Sequence, residues 1–548
     1  MLSIIAQGNA RRPSSMSSAT ISGEDDHLLE GNGLEVTTGT ILQRRRSSRL
    51  NSLRFLPDNI LVLIFSYLTP LDLIHCTYVC QRWHLLISRH SNLWRRLFLR
   101  PDCSNGHIGA VHVRRLDIFL HALATRFSSS LIYIDLPIEL ITVEVLRELA
   151  IRCPNLEYLT LDFSSAMQLH DFSELNEFPC NLKRLCICLS EVIFLEGFMR
   201  RIYAFLSSLN TLHIIGTLEK SSLTSSPEET DDYETINISR IKAHAPNLHT
   251  INLYGVCFID DSHIEAIASG CIHLQCLALN FCTRVKGTSF KNLMNRCRKL
   301  TCLLLQNTDD PMLAVNWSTT QLSELDISST DLSEGALLDF FAMVPKLTYL
   351  AVPFCDGFTD SVLNLLLERG KLNGCRALDL SHTVNLNVEA VHRLLTSFTN
   401  ISYRLEALSY TGHVAITEQF WINAIRYLHR IRILIIGTAH SWFKQATRRI
   451  HIDQILEACA VHCPRLKRLE IQWDPETLRF GENSSKFIDH LRIRCTNLLS
   501  FVLSDGPYYE GAKANFERAE RHGIVRTTTM YQTSIVSNLS FYNELKFN

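Results

Sequence analysis

The sequence is poor in charge and in glycine. Charged residues form 20% of its 548 positions, 54 basic against 55 acidic, and glycine occurs 22 times. A balance that close gives the whole chain no electrostatic reason to seek nucleic acid or a membrane surface. So little glycine excludes a collagen-like helix, and 46% hydrophobic residues exclude a wholly disordered chain. No stretch reaches 18 uncharged apolar residues, so no transmembrane helix is predicted. Met1 to Ile5 is too short for the apolar heart of an export signal, and Asn9, Arg11 and Arg12 follow at once. The acidic cluster Glu24-Asp25-Asp26 disfavours a transit peptide. The 18 cysteines are therefore expected to stay reduced, in the cytoplasm or the nucleus. There is no Walker loop, no nucleotide-binding glycine fingerprint, no H-E-x-x-H and no G-x-S-x-G. Nothing pairs a nucleophile with a base, and a non-catalytic chain is expected.

What is abundant is leucine, with 82 residues. The chain is too long for one compact core, which predicts several domains or an elongated array. Residues 1–51 are rich in Ser, Gly, Arg and Thr and are expected to be disordered. Their run Arg44-Arg45-Arg46 reads as a solvated basic stretch.

Residues 52–98 change to dense apolar helix. Leu56-Pro57 sets a proline at a helix's first turn, where its missing N–H costs nothing. Ile60 to Phe65, continuing to Tyr67 and Leu68, is apolar almost all round, so it must be covered on more than one side. Thr69-Pro70-Leu71-Asp72 predicts a capping box opening the next helix. A third helix carries Val79, Cys80, Trp83, Leu86 and Ile87, and Leu93-Trp94 is expected to open a fourth. Roughly 45 residues in short helices cannot bury enough surface to stand securely alone. The surplus apolar surface predicts a docking partner.

These residues resemble the F-box family. Leu56-Pro57, Ile64-Phe65-Ser66-Tyr67-Leu68, Asp72-Leu73, Val79-Cys80-x-x-Trp83 and Leu93-Trp94-x-x-Leu97 match its motif in order and spacing.

After a helical linker, 99–130, the frame L-x-x-L-x-L repeats fourteen times through 131–504, with occasional Ile, Val, Cys, Phe or Tyr replacements. It begins at Leu131, Leu156, Leu182, Leu209, Leu248, Leu274 and Leu300, then at Leu322, Leu347, Cys375, Leu405, Ile431, Leu466 and Leu498. Starts mostly 25 to 28 residues apart give the period of leucine-rich repeats, each one short strand and one helix. Alternating leucines point inward from the strand, and Asp260 or Asp261 can cap a helix burying Ile264, Ile267 and Ala268. Thr359 with Val362, Leu365 and Leu366 repeats the device. Cys153, Cys271, Cys297, Cys463 and Cys495 stand three residues before a frame; Cys282 and Cys355 stand three after its last apolar position. This pattern resembles the cysteine-containing leucine-rich-repeat subfamily, in which cysteine serves as a small buried hydrophobe. The expected fold class is thus α/β: a short all-helical F-box followed by an αβ leucine-rich-repeat solenoid, a horseshoe.

Strand positions beside the core leucines should line the concave face. They read Asp135, Asp162, Glu324, Asp326, Asp379 and Glu470 against Arg184 and Arg468. This is a mildly acidic groove that suits a basic partner segment, unless the same carboxylates satisfy neighbouring backbone groups instead. Ile433, Ile435 and Val502, with Trp473 nearby, read as an apolar anchor.

Metal chemistry finds little support. Cys459, His462 and Cys463 cluster, but no second ligand pair stands near them, so no metal and no cofactor are expected. Cys186-x-Cys188 reads as one more core strand. An insertion at 217–237 is acidic and Ser/Thr-rich and predicts an exposed loop, with Thr230 before two acids as a phosphorylation candidate. Residues 505–548 are expected to hold a charged helix, Ala512 to Arg521, capping the last repeat. A tail with Phe541, Tyr542, Leu545 and Phe547 follows it.

The resemblance implies a substrate receptor of a Skp–cullin–F-box ubiquitin ligase. Such a receptor docks on a Skp-type adaptor, and through it on a cullin scaffold and a RING subunit, while its repeats recruit a protein target for ubiquitination and proteasomal degradation. The docking residues carried over are Leu56, Pro57, Leu61, Ile64, Leu68, Val79 and Trp83. The candidate target-binding residues are Asp162, Glu324, Asp326, Asp379, Glu470 and Trp473. Two alternatives remain: a repeat scaffold that works without ubiquitin transfer, and a solenoid binding RNA or peptide. The acidic lean weighs against RNA, and neither nucleic acid nor membrane is an expected partner.

Overall fold

The computed structural model describes residues 56–68, 70–98, 120, 128–164, 166–190, 195–216, 236–256, 258–307, 315–396, 401, 404–413, 416–437, 451–473, 478–517 and 523–527, excepting the side chains of Pro70, Leu71, Ile74 and Phe98. The expectations for 1–51, for Thr69, for most of the linker 99–130, for 217–235 and for the tail beyond 527 lie outside the described residues. The chain divides into two compact units, 1–61 and 62–548.

Pro57 starts the helix Asp58–Phe65: its carbonyl accepts the N–H groups of Ile60 and Leu61 at 3.1 Å each. The second unit contains the helices Pro70–Thr77 and Gln81–Arg89. Phe65, Leu73, Leu86 and Ile87 are buried, and the Phe65 ring meets Trp83 edge-on at 5.2 Å. Leu93-Trp94 does not open a fourth helix. Ser91–Trp94 forms a single 3-10 turn, held by the Trp94 indole N–H donating to the Ile87 carbonyl at 3.2 Å, and the chain then enters a strand.

Among the described residues sixteen strands follow. They are β1 (Arg96–Phe98), β2 (Tyr133–Pro137), β3 (Tyr158–Asp162), β4 (Arg184–Cys188), β5 (Thr211–Ile215), β6 (Thr250–Asn252), β7 (Cys276–Ala278) and β8 (Cys302–Leu304). The rest are β9 (Glu324–Asp326), β10 (Tyr349–Ala351), β11 (Ala377–Asp379), β12 (Ala407–Tyr410), β13 (Ile433–Gly437), β14 (Arg468–Gln472), β15 (Ser500–Leu503) and β16 (Val525–Thr527). All lie in one parallel sheet whose order is the order of the chain. Parallel neighbours need a crossover, supplied in most repeats by a helix of seven to eleven residues. The result is an open αβ solenoid.

β2 to β15 each begin two residues after the start of a frame, so the fourth frame position falls at the second residue of its strand. Register pairs these positions directly, Leu277 with Leu303 and Leu303 with Leu325, and all three are fully buried. The ladder runs on through Leu350, Leu378, Leu408, Leu434 and Leu469. No single repeat could bury it, because each leucine is covered by its neighbours.

The helices obey the same logic. Asp260 caps Asp261–Gly270, accepting the N–H groups of Ser262 at 2.9 Å and His263 at 3.2 Å, while the His263 ring reaches back to the Asp260 N–H. Ile264, Ile267 and Ala268 are buried as expected. Thr359 precedes Asp360–Glu368 without capping it; its hydroxyl donates to Glu334 at 2.6 Å instead, and Leu363 rather than Leu365 joins Val362 and Leu366 in the core. Asp260→Ala should lower stability by about 1–2 kcal/mol, and Asp260→Asn by a fraction of that, because asparagine keeps the acceptor. Denaturant midpoints of the two variants check the order.

Two ends differ from the sequence reading. Ile236 is buried and Asn237 caps Ile238–His244, so the last two positions of the expected acidic loop belong to the solenoid. At the C-terminal side the helix is Pro507–Phe516, set by Pro507 at its first turn, and β16 then adds a strand beside β15. Repeat-position cysteines fill the core: Cys282 donates to the Leu253 carbonyl at 2.9 Å and Cys355 to that of Ile327 at 2.8 Å. Among the described residues no helix is long and apolar enough to cross a membrane.

Candidate functional site

The docking candidates divide by exposure. In the first unit Pro57 is exposed, Leu56 half-buried and Leu61 buried, so Leu61 offers no surface. In the second unit Ile64 is 42% exposed and Val79 60%, while Leu68 and Trp83 are half-buried, Trp83 against Phe65. Sequence reasoning missed larger apolar surfaces beside them. Tyr67 is 82% exposed, and Leu63, Tyr78 and Leu85 are also open. Leu63, Ile64 and Tyr67 stand at i, i+1 and i+4, a stripe the helix turns outward once Phe65 turns inward. A cavity of about 490 Å³ lies at the start of Gln81–Arg89, lined by Thr77, Tyr78, Cys80, Gln81, His84 and Leu85. An uncovered apolar surface on short helices is the mark of a binding face.

The second candidate surface is the sheet face that alternates with the leucine ladder, the concave face of the sequence reading. Register lays one row across it from Asp135 through Thr160, Cys186, His213 and Asn252 to Ala278 and Leu304. It continues through Asp326, Ala351, Asp379, Ser409 and Ile435 to Glu470 and Val502. Its middle is apolar: Cys276, Cys302, Leu304, Tyr349, Ala377, Ala407, Ile433 and Ile435 belong to one buried cluster.

The carboxylates are largely occupied by their own chain. Asp162 accepts from the Ser164 N–H at 3.0 Å, Asp326 from Ser328 at 3.0 Å and Asp379 from Ser381 at 3.0 Å, which are local turns of the frame. Glu470 is met within its strand by Arg468 at 2.5 Å and by Gln472 at 2.6 Å. Glu324 is half-buried on the same face. The groove is therefore an apolar strip with buried carboxyls, where composition suggested an acidic channel. Burial pushes Asp326 and Asp379 up to about 6, against the serine hydrogen bonds that favour their charge. Burial also pushes His213 down to about 3, with the Arg184 guanidinium adding to it, so this histidine is neutral. Trp473 is almost wholly buried and supplies no anchor. Cys186 and Cys188 lie on this face too, opposite the core residues Leu185 and Ile187, and are not part of the leucine core.

A second signal was invisible in the frames. The eighth position from each frame start takes a left-handed backbone in consecutive repeats, at Gly255, Phe281, Asn307, Ser329, Phe354, His382 and Gly412. Glycine and asparagine accept that conformation readily; phenylalanine does not. Phe354, at φ 57°, is 55% exposed and stacks on His382 at 4.3 Å. Among the described residues no three His, Cys, Asp or Glu side chains gather as metal ligands, and Cys459 and Cys463 are buried.

Comparison with known proteins bears on the helices. Residues 53–100 match the F-box-like domain family. A 74-residue stretch is 38% identical to an F-box/SPRY domain-containing protein of Culex quinquefasciatus; it covers 12% of this chain and 29% of that relative. Among solved structures, the complex of Rad7 and Elc1 in yeast aligns over 81% of this chain and 95% of that one, at 15% identity and a TM-score of 0.35. An internalin of Listeria monocytogenes aligns over 78% and 96%, at 14% identity and a TM-score of 0.28. Residues 53–100 are an F-box-like domain, followed in the chain by a parallel-stranded αβ solenoid.

Proposed function

We propose that this chain is the target-recruiting subunit of a Skp–cullin–F-box ubiquitin ligase. The observation that carries the reading is the uncovered apolar surface of Leu63, Ile64, Tyr67 and Val79 inside the segment that matches an F-box-like domain. These side chains dock on a Skp-type adaptor, which links the chain to a cullin scaffold and a RING subunit. The solenoid holds a protein target, with the strip between β7 and β14 as the recruiting surface. The candidates there are Asp326, Asp379 and Glu470 at its polar positions, with Asp162 and Glu324 on the same face. A basic group on the target fits beside the carboxyls, and apolar side chains fit the strip.

The chain supplies no catalytic group in this role. Its contribution is proximity: a target lysine held near an activated ubiquitin reacts as though at high local concentration. Co-purification of the full chain with a Skp-type adaptor, cullin and RING subunit tests the reading. Co-elution, with cullin-dependent ubiquitination of a captured target, is expected. A soluble, folded chain that binds no adaptor would remove the ligase role; adaptor binding without any cullin-dependent transfer would leave a repeat scaffold.

A further inference from the structure

We propose that Cys276 and Cys302 form a peroxide-driven disulfide on the far face of the solenoid sheet. This modification goes beyond the ligase reading and does not depend on it. The cysteines at repeat positions are buried, and several of their thiols meet backbone carbonyls: Cys297 that of Cys271 at 3.4 Å, Cys495 that of Cys463 at 3.4 Å. Cys276 and Cys302 do otherwise. They open β7 and β8, they are direct register partners, and their sulfurs lie 3.2 Å apart. Neither fits the cysteine pattern of the repeats, because both alternate with the leucines Leu277 and Leu303 and so face away from the ladder.

The backbone already stands at bonding distance. Adjacent strands lie about 4.8 Å apart, inside the roughly 4.4–6.8 Å that disulfides span between Cα atoms. Closure needs the sulfurs to approach by only about 1 Å, to a bond of about 2.05 Å, which side-chain rotation can supply. The two thiols differ in access. Cys276 keeps 8% of its surface and Cys302 none, so an oxidant meets Cys276 first. The thiolate of Cys276 attacks the O–O bond of a hydroperoxide, forming a sulfenic acid and releasing the alcohol, or water from hydrogen peroxide. The Cys302 sulfur then displaces the sulfenic hydroxyl, which leaves as water with the thiol proton. Two thiols are oxidised, one peroxide is reduced, and β7 is tied to β8 at one end of the apolar strip.

The full chain treated with hydrogen peroxide, alkylated with a maleimide under denaturing conditions and digested, gives the test. The expected product is a linked pair of peptides containing residues 276 and 302, two hydrogens lighter than the reduced pair, with Cys282, Cys297 and Cys355 still alkylated. In Cys302→Ser the Cys276 sulfenic acid should persist and be captured by a cyclic 1,3-dione; in Cys276→Ser, residue 302 should capture none. Full alkylation of both residues, at peroxide that converts glutathione to its disulfide, would overturn the proposal. So would progression of either residue to a sulfinic acid in the native chain without any linked peptide. The native-chain result stands whether or not a variant folds.

Discussion

Ile64→Asp or Val79→Asp is expected to weaken binding of a Skp-type adaptor by at least about 100-fold, equivalent to roughly 3 kcal/mol. Both side chains are substantially exposed on the free chain, so the substitutions remove little from its own core. In a complex they would each bury a charge without a partner, and that penalty falls on the bound state alone. Ile151→Asp supplies the control. Ile151 is equally open, at 60%, but sits on the helix Val143–Arg152 of the solenoid, and its replacement should leave adaptor affinity within a factor of two or so. Titration calorimetry or biolayer interferometry on the three variants reads the difference. Equal loss in all three would mean that apolar exposure as such, and not this face, drives association. No loss in the first two would move the docking surface elsewhere.

The second large effect concerns acid. Burial pushes the Asp326 carboxyl up to about 6 in the folded chain, whereas an unfolded aspartate titrates near its ordinary value of 3.8. The linkage runs opposite to the usual one. Above pH 6 both states are ionised and the folded one bears the full cost of a buried charge; as pH falls from about 6 toward 4 the folded state takes up its proton first and gains stability. Asp326→Asn removes that cost. It should stabilise the chain near pH 7 by about 3 kcal/mol, with the advantage falling below about 1 kcal/mol by pH 4. Asparagine retains an acceptor for the Ser328 N–H, so the local turn survives. Difference curves of variant against native chain isolate this residue, since Glu406, held down by hydrogen bonds from Arg376 and Arg432, shifts stability the other way. A variant advantage that is constant with pH would show that burial does not raise this carboxyl's titration.

The frames located fourteen strands to the residue because one physical requirement recurs: a leucine that must meet a leucine one repeat away. β1 and β16 escaped because neither belongs to a frame; Arg96-Leu97-Phe98 lay inside text that reads as helix. Cysteine positions were legible for the same reason as the leucines, being small core sites. Side-chain exposure was less so. Leu61 and Ile64 look alike as residue types, and only the packing of the helix decides that one is buried and the other open. Trp473 was misplaced because an indole just beyond a strand can turn to either face, and here it turns into the core. The fate of Asp326 and Asp379 hinged on the serine two residues on, Asp326-x-Ser328 and Asp379-x-Ser381, and of the two readings their sequence left open the structure shows the bond to the neighbouring backbone.

The unbroken order of the sheet sets a timetable for synthesis. Every strand finds its partner in the strand made just before it, about one repeat earlier, as Cys276 does with Cys302 twenty-six residues on. A ribosome adding about 5–20 residues per second delivers each new repeat within roughly one to five seconds. No strand has to wait for a distant stretch of chain to emerge. The nascent solenoid can therefore lengthen at its growing end while the rest is still being translated, with each new strand meeting an edge already in place.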